Sequence, residues 1–162
     1  MQRLAFGVEY VGTHYSGWQS QQNQPAVASI QQTLEAAISQ VADHPIEVMC
    51  AGRTDAGVHA CGQVVHFDTA AQRDNRAWVF GCNANLPPDI RVLWVKPVSP
   101  DFDARRSAIA RHYRYVIYNN QIRPSLLSDY LAWHYTALDA DLMHIAAQSW
   151  LGEHVNGLCI YV

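Results

Sequence analysis

Ala51-Gly52-Arg53-Thr54-Asp55-Ala56-Gly57-Val58-His59-Ala60 is a polar, glycine-bracketed stretch set between two apolar runs, Ile46 to Cys50 and Val64 to Phe67. Strand-like runs separated in this way predict two adjacent strands joined by a tight loop at the end of a sheet. Gly52 and Gly57 allow backbone angles closed to other residues, and Arg53 and Asp55 place opposite charges two positions apart between them. One reading is an ordinary turn, its Asp bonded to its own backbone and its Arg solvated. The other is a reactive loop, in which a carboxylate held beside a guanidinium stays ionised and ready to attack or to accept a proton.

The residues around this loop outline an α+β chain. Leu4, Phe6, Val8 and Tyr10 alternate with Ala5, Gly7 and Glu9, which predicts a first strand. Gly12 and Gly17 punctuate a loop rich in hydrogen-bonding and aromatic groups, where Trp18 reads first as a core plug and second as a base-stacking platform. Residues 19–28 read as a flexible connection. Ser29 with Gln32 forms a capping-box pattern ahead of a helix over 30–42, closed by Asp43, His44 and Pro45. Strands are expected over 46–50, 63–68, 90–98 and 109–118, with helices over 75–86 and 140–151, the last capped by Asp139. That order gives a mostly antiparallel sheet with helices on one face.

Charge is distributed unevenly. The net charge is −3, yet residues 104–128 contain no Asp or Glu and carry Arg105, Arg106, Arg111, Arg114 and Arg123. Lys96 is the one lysine among eleven Lys and Arg residues. Guanidinium groups grip phosphate bidentately and stack on bases, so an arginine stripe interleaved with Tyr113, Tyr115 and Tyr118 suits RNA. The same stripe also suits an edge strand protected by its charge. The four cysteines are widely spaced without a C-x-x-C pair, and His59, Cys61 and His66 match no zinc spacing, so reduced thiols and no metal are expected. The first ten residues lack the apolar core and cleavage site of a signal peptide, and no run reaches transmembrane length, which sets a cytoplasmic expectation without a membrane partner.

The segment from Ala51 to His59 resembles the active-site signature G-R-T-D-A-G-V-H of the tRNA pseudouridine synthase A family. Further similar stretches are Tyr10-Val11-Gly12-Thr13-His14-Tyr15-Ser16-Gly17-Trp18-Gln19, Asn83-Ala84-Asn85-Leu86-Pro87 and the run from Arg111 to Asn119. The resemblance implies that Asp55 is the catalytic nucleophile, with Arg53 as its ion-pair partner. It also implies that Tyr113 stacks on the flipped base, and that Arg105, Arg106, Arg111 and Arg114 contribute to binding the RNA. The implied reaction is the isomerisation of a uridine in the tRNA anticodon stem-loop to pseudouridine, without cofactor or metal, by a homodimer. The implied fold is the N-terminal half of a pseudouridine synthase, of ferredoxin- or RRM-like character. Resemblance extends from Leu4 to Glu153, so the expected organisation is a catalytic-loop domain over 1–154 and a divergent tail over 155–162. The C-terminal half of the family is then absent, as after a truncation, and the alternative expectation is an RNA-binding or dimerising fragment without turnover.

Overall fold

The computed structural model describes residues 1–19, 27–149, 151–153 and 159–160. The chain divides into two units, Met1–His112 and Tyr113–Val162. In the first unit, strand β1 (Gln2–Tyr10) is followed by helix α1 (Ile30–Ala42), strands β2 (Met49–Cys50) and β3 (Ala60–Thr69), helix α2 (Asn75–Asn85) and strand β4 (Ile90–Val98). The strands form one antiparallel sheet in the order β2-β3-β1-β4. The α+β architecture expected from the sequence is therefore present. The expected linker over 19–28 falls largely outside the described residues.

Alternation in β1 sends Leu4, Phe6, Val8 and Tyr10 into the core, where they meet Val65 and Phe67 of β3. Ile30, Leu34 and Ile38 of α1 and Trp78 and Cys82 of α2 cover the same layer. Phe6, Phe67 and Trp78 meet edge to face, with ring centroids 4.9 to 6.0 Å apart. Such pairs add to the stabilisation from area burial alone. Helix α1 starts at the expected capping box, the Ser29 hydroxyl accepting from the Gln32 N–H and the Gln32 side chain accepting from the Ser29 N–H. It ends at Asp43 in a left-handed conformation. Trp18 is buried in this core, in agreement with its first reading.

Two expected strands are shorter than their sequence pattern. Over 46–50 only Met49–Cys50 joins the sheet. Upstream, the Ile46 N–H donates to Ser39 Oγ and the Val48 N–H to Glu35 Oε1, both 2.9 Å, so α1 side chains take the donors that a longer ladder would use.

The second unit contains β5 (Ile117–Asn119) paired in parallel with β6 (Ala132–His134), helix α3 (Ala140–Gln148) and a short antiparallel pair, β7 (Gly152–Glu153) and β8 (Cys159–Ile160). The strand expected over 109–118 is thus confined to its last residues, and Arg111, Tyr113 and Arg114 lie outside it. β-propensity expresses itself where side chains pack on a half-buried surface, and residues 110–116 are exposed. Asn119 knits this unit together. Its amide donates to His134 O and Thr136 O, and its Oδ1 accepts from the Leu138 N–H. Asp139 caps α3 by accepting from the Leu142 N–H, as expected, and α3 has no buried residue among those described.

Candidate active site

Loop 51–59 joins β2 to β3 at the end of the sheet where β1 finishes and β4 begins, since Tyr10 stands opposite both Ala60 and Ile90. Its leading arm continues the ladder. The Ala51 N–H donates to Val64 O (2.8 Å), and Gln63 Nε2 donates to Gly52 O (2.6 Å). A turn then closes from the Val58 N–H to Asp55 O (3.2 Å), with Gly57 at φ 79°. Arg53 and Asp55 are exposed, so the carboxylate is presented to solvent on a turn anchored at both feet.

The segment from Tyr10 to Trp18 forms a cradle for this turn. Tyr10 Oη and Thr54 Oγ1 are hydrogen-bonded at 2.8 Å, and the Trp18 N–H donates to Thr54 O at 2.8 Å. Gly17, at φ 100°, lies so close that a Cβ there would stand 2.8 Å from Thr54 O and 3.0 Å from the Asp55 carbonyl carbon. Beyond Asp55, the Gly12 N–H donates to His59 Nδ1 (3.0 Å), and a Cβ on Gly12 would meet Val58 O at 2.1 Å. The cradle is itself tied to the turn before β4. Asp89 O accepts from the Val11 N–H (2.9 Å), and Asp89 Oδ1 accepts from the Tyr15 hydroxyl (2.7 Å). Burial, with that hydrogen bond, pushes the Tyr15 phenol well above its ordinary range.

Cationic groups gather beside the leading arm. The charges of Arg53 and Arg105 both act on the Cys50 thiol, whose pKa is nevertheless raised because burial outweighs them. Arg111 turns its guanidinium onto the backbone, Nε and Nη2 donating to Ala51 O (3.1 and 2.6 Å) and Nη2 also to Arg105 O (3.1 Å). Asp103 Oδ1 accepts from the N–H groups of Arg105 and Arg106, both 2.9 Å, and the bond from Arg106 leads in holding its carboxyl below the ordinary range. Behind this turn, the Ala104 N–H donates to Nδ1 of buried His66 (3.1 Å). Burial, then the charge of Arg3, lowers the His66 pKa from 6.5.

The expected Arg53–Asp55 ion pair is not formed: among the described residues the ion pair is Arg3–Asp68. Two exposed side chains gain little from pairing in water, so proximity in sequence does not hold them together. Arg111 braces the loop as well as being a candidate for RNA contact. Tyr113 and Arg114 belong to the second unit, both exposed. Sequence reading did not connect Tyr10, Gly12, Gly17 and Gln63 with Asp55, nor His59 with Gly12. The two glycines were visible as punctuation, but their partners lie about forty residues away. No group of His, Cys, Asp and Glu that could hold a metal occurs among the described residues. None of the described helices is long and apolar enough to cross a membrane.

A family model described as tRNA pseudouridine synthase matches residues 7–105, which hold the cradle and the loop and end at Arg105. The chain belongs to the tRNA pseudouridine synthase family. It is 57% identical over 152 residues to a tRNA pseudouridine synthase A of Aeromonas hydrophila, covering 94% of this chain and 55% of that protein. A Coxiella burnetii protein of the same name is 54% identical over 154 residues, covering 95% and 58%. One from Escherichia coli O1:K1 is 58% identical over 152 residues, covering 94% and 55%. The chain thus spans a little over half the length of the curated relatives it matches.

Proposed function

We propose that this chain carries the catalytic loop of an enzyme that isomerises uridine to pseudouridine in the tRNA anticodon stem-loop, with Asp55 as the attacking carboxylate. The reading rests chiefly on one observation: Asp55 stands exposed on a turn pinned before and after it, inside a segment matched by the family model. A paired uridine is out of reach within a helix, so it is flipped out at a cost of about a few kcal/mol, offset by stacking and phosphate contacts. Asp55 attacks C6 of the base or C1′ of the ribose. In either case the N1–C1′ bond breaks, the base rotates, C5 joins C1′, the bond to Asp55 breaks to free the carboxylate, and the proton on C5 is lost while N1 regains one. Arg53, two residues before Asp55 and exposed beside it, turns to the carboxylate only when the uridine is bound and fills the space left by the flipped base. Tyr113 stacks on the uracil, and Arg105, Arg106, Arg111 and Arg114 meet the RNA backbone. In this reading the enzyme works on tRNA in the cytoplasm, as a homodimer, without cofactor.

Release of tritium from C5-labelled tRNA uridine tests the assignment. The chain is assayed alone and joined to the remaining half of the Aeromonas hydrophila relative. Release by the unsubstituted protein that disappears in Asp55→Ala is the expected result, and undiminished release by the variant removes Asp55 from its role. A second reading is favoured by the exposed arginines and tyrosines of residues 110–116: a fragment that binds RNA or pairs with another subunit without turnover. In that case Asp55→Ala leaves tRNA affinity intact, while losing Arg114 weakens it and flattens the salt dependence by about 0.7 to 0.9 log units per phosphate contact removed. Pseudouridine formed by the 162-residue chain alone excludes the fragment reading.

A further inference from the structure

The two arms of loop 51–59 are fastened differently. The arm leading into Asp55 is held through Thr54, by the Tyr10 hydroxyl, the Trp18 N–H and the close approach of Gly17. The arm leaving Asp55 meets the cradle where Gly12 lies against Val58 and donates its N–H to the His59 ring. Gly12 is buried, so its amide loses a partner that water cannot readily replace if the ring is withdrawn. We propose that His59 is a positioning residue for Asp55: its Nδ1 lone pair ties the trailing arm to the turn after β1 and so sets where the carboxylate stands. The inference rests on the reading of Asp55 given under Proposed function.

The chemistry of the bond is specific. A ring nitrogen that accepts cannot carry a proton, so this bond requires the neutral His59 ring with hydrogen on Nε2. Geometry makes the contact short-range on both sides. Gly12 has no Cβ to hold Val58 away, and the turn from Asp55 to Val58 spans only one hydrogen bond, at 3.2 Å. A shift of the His59 end is therefore passed directly to Asp55. Displacing a catalytic group by about 1 Å can lower turnover about 100-fold without weakening substrate binding.

Two substitutions separate the accepting atom from the bulk of the ring. His59→Asn places an amide oxygen where Nδ1 sits, whereas His59→Gln places its polar end near Nε2 and leaves Gly12 unpartnered. In the 162-residue chain, His59→Gln is expected to speed exchange of the Gly12 amide hydrogen about tenfold and to shift the amide signals of Asp55, Ala56 and Gly57, and His59→Asn restores both. In protein that releases tritium, His59→Gln lowers kcat about 10- to 100-fold and leaves tRNA affinity within about twofold, and His59→Asn again restores it. The unsubstituted chain supplies a reading that no misfolded variant can spoil. A 15N–15N coupling across the Gly12 N–H and His59 Nδ1 supports the bond, and its absence overturns it. Unchanged Gly12 exchange in His59→Gln, or failure of His59→Asn to restore it, also overturns the proposal. Absence of tritium release from the unsubstituted protein counts against the proposed function, while the exchange and coupling measurements still decide His59.

Discussion

Replacing Gly17 by alanine tests the cradle most directly, because two separate costs are visible there. At φ 100° an L side chain is strained, at about 1–2 kcal/mol. The new Cβ also meets three backbone atoms, Thr54 O, Asp55 C and Ala56 N, at 2.8 to 3.1 Å, none of them the tip of a side chain that can swing away. Overpacking of this kind costs about 1–3 kcal/mol, so the two together come to about 3 kcal/mol. Unfolding entropy of about 2.1 cal/mol/K per residue gives about 0.24 kcal/mol/K for Met1–His112. The expected fall in Tm is then about 12 °C. Gly57→Ala is the internal control. Its φ is 79°, but among the described residues beyond its chain neighbours a Cβ there has no atom within 4 Å, so only the conformational cost applies and Tm falls by about 4–8 °C. If the loop yields instead, the bond from the Trp18 N–H to Thr54 O lengthens and Asp55 moves, which amide spectra of Thr54 to Ala56 report. Thermal unfolding by circular dichroism and those spectra are measured together. A Gly17→Ala chain whose Tm stays within about 2 °C of the parent, with unmoved loop signals, refutes the cradle.

His66 supplies a pH dependence of defined sign. Its folded pKa lies below 6.5, so the neutral ring contributes stability that is complete above 6.5 and is lost as pH falls through 6.5 toward the folded value. His66→Asn keeps an acceptor for the Ala104 N–H without titrating, and the urea midpoint of that variant is expected to vary less over this interval than the parent's. Equal slopes refute the assignment. In the core, Trp78→Ala removes the ring packed on Phe6 and Phe67 and is expected to cost about 3–5 kcal/mol in urea unfolding. Trp78→Phe should cost clearly less, because the buried Nε1 it removes has no hydrogen-bond partner among the described residues. A Trp78→Ala cost below about 1 kcal/mol excludes that packing.

What the sequence made legible follows from how local each signal is. Helix α1 was readable to the residue, because its capping box and its apolar spacing are both contained in one stretch. Strands β1, β3 and β4 and the buried Trp18 were likewise readable from alternation and composition. The short β2 was not, because Ser39 and Glu35 on α1 take the N–H groups of Ile46 and Val48, a competition between segments that periodicity cannot express. The run around Arg111 to Val116 was misread as strand for a related reason: its residue types favour β-structure, but no partner strand pairs with it among the described residues. Loop 51–59 stood out as a polar turn from its glycines and charges, and its reading as a reactive element came from the family resemblance. Its supports were hidden, because Tyr10, Gly12, Gly17 and Asp89 reach it, or one another, only across the folded sheet.

The place of β1 between β3 and β4 bears on how the chain matures during synthesis. The strand that anchors the cradle leaves the ribosome first, but Asp89, which fixes Val11 and Tyr15, emerges nearly eighty residues later. Val11 and Tyr15 gain their Asp89 partner only once the chain has extended past the turn before β4, and long-range contacts of this sort form slowly. The cradle around Thr54 is therefore completed only after β1 has gained both its neighbours, late in the synthesis of Met1–His112.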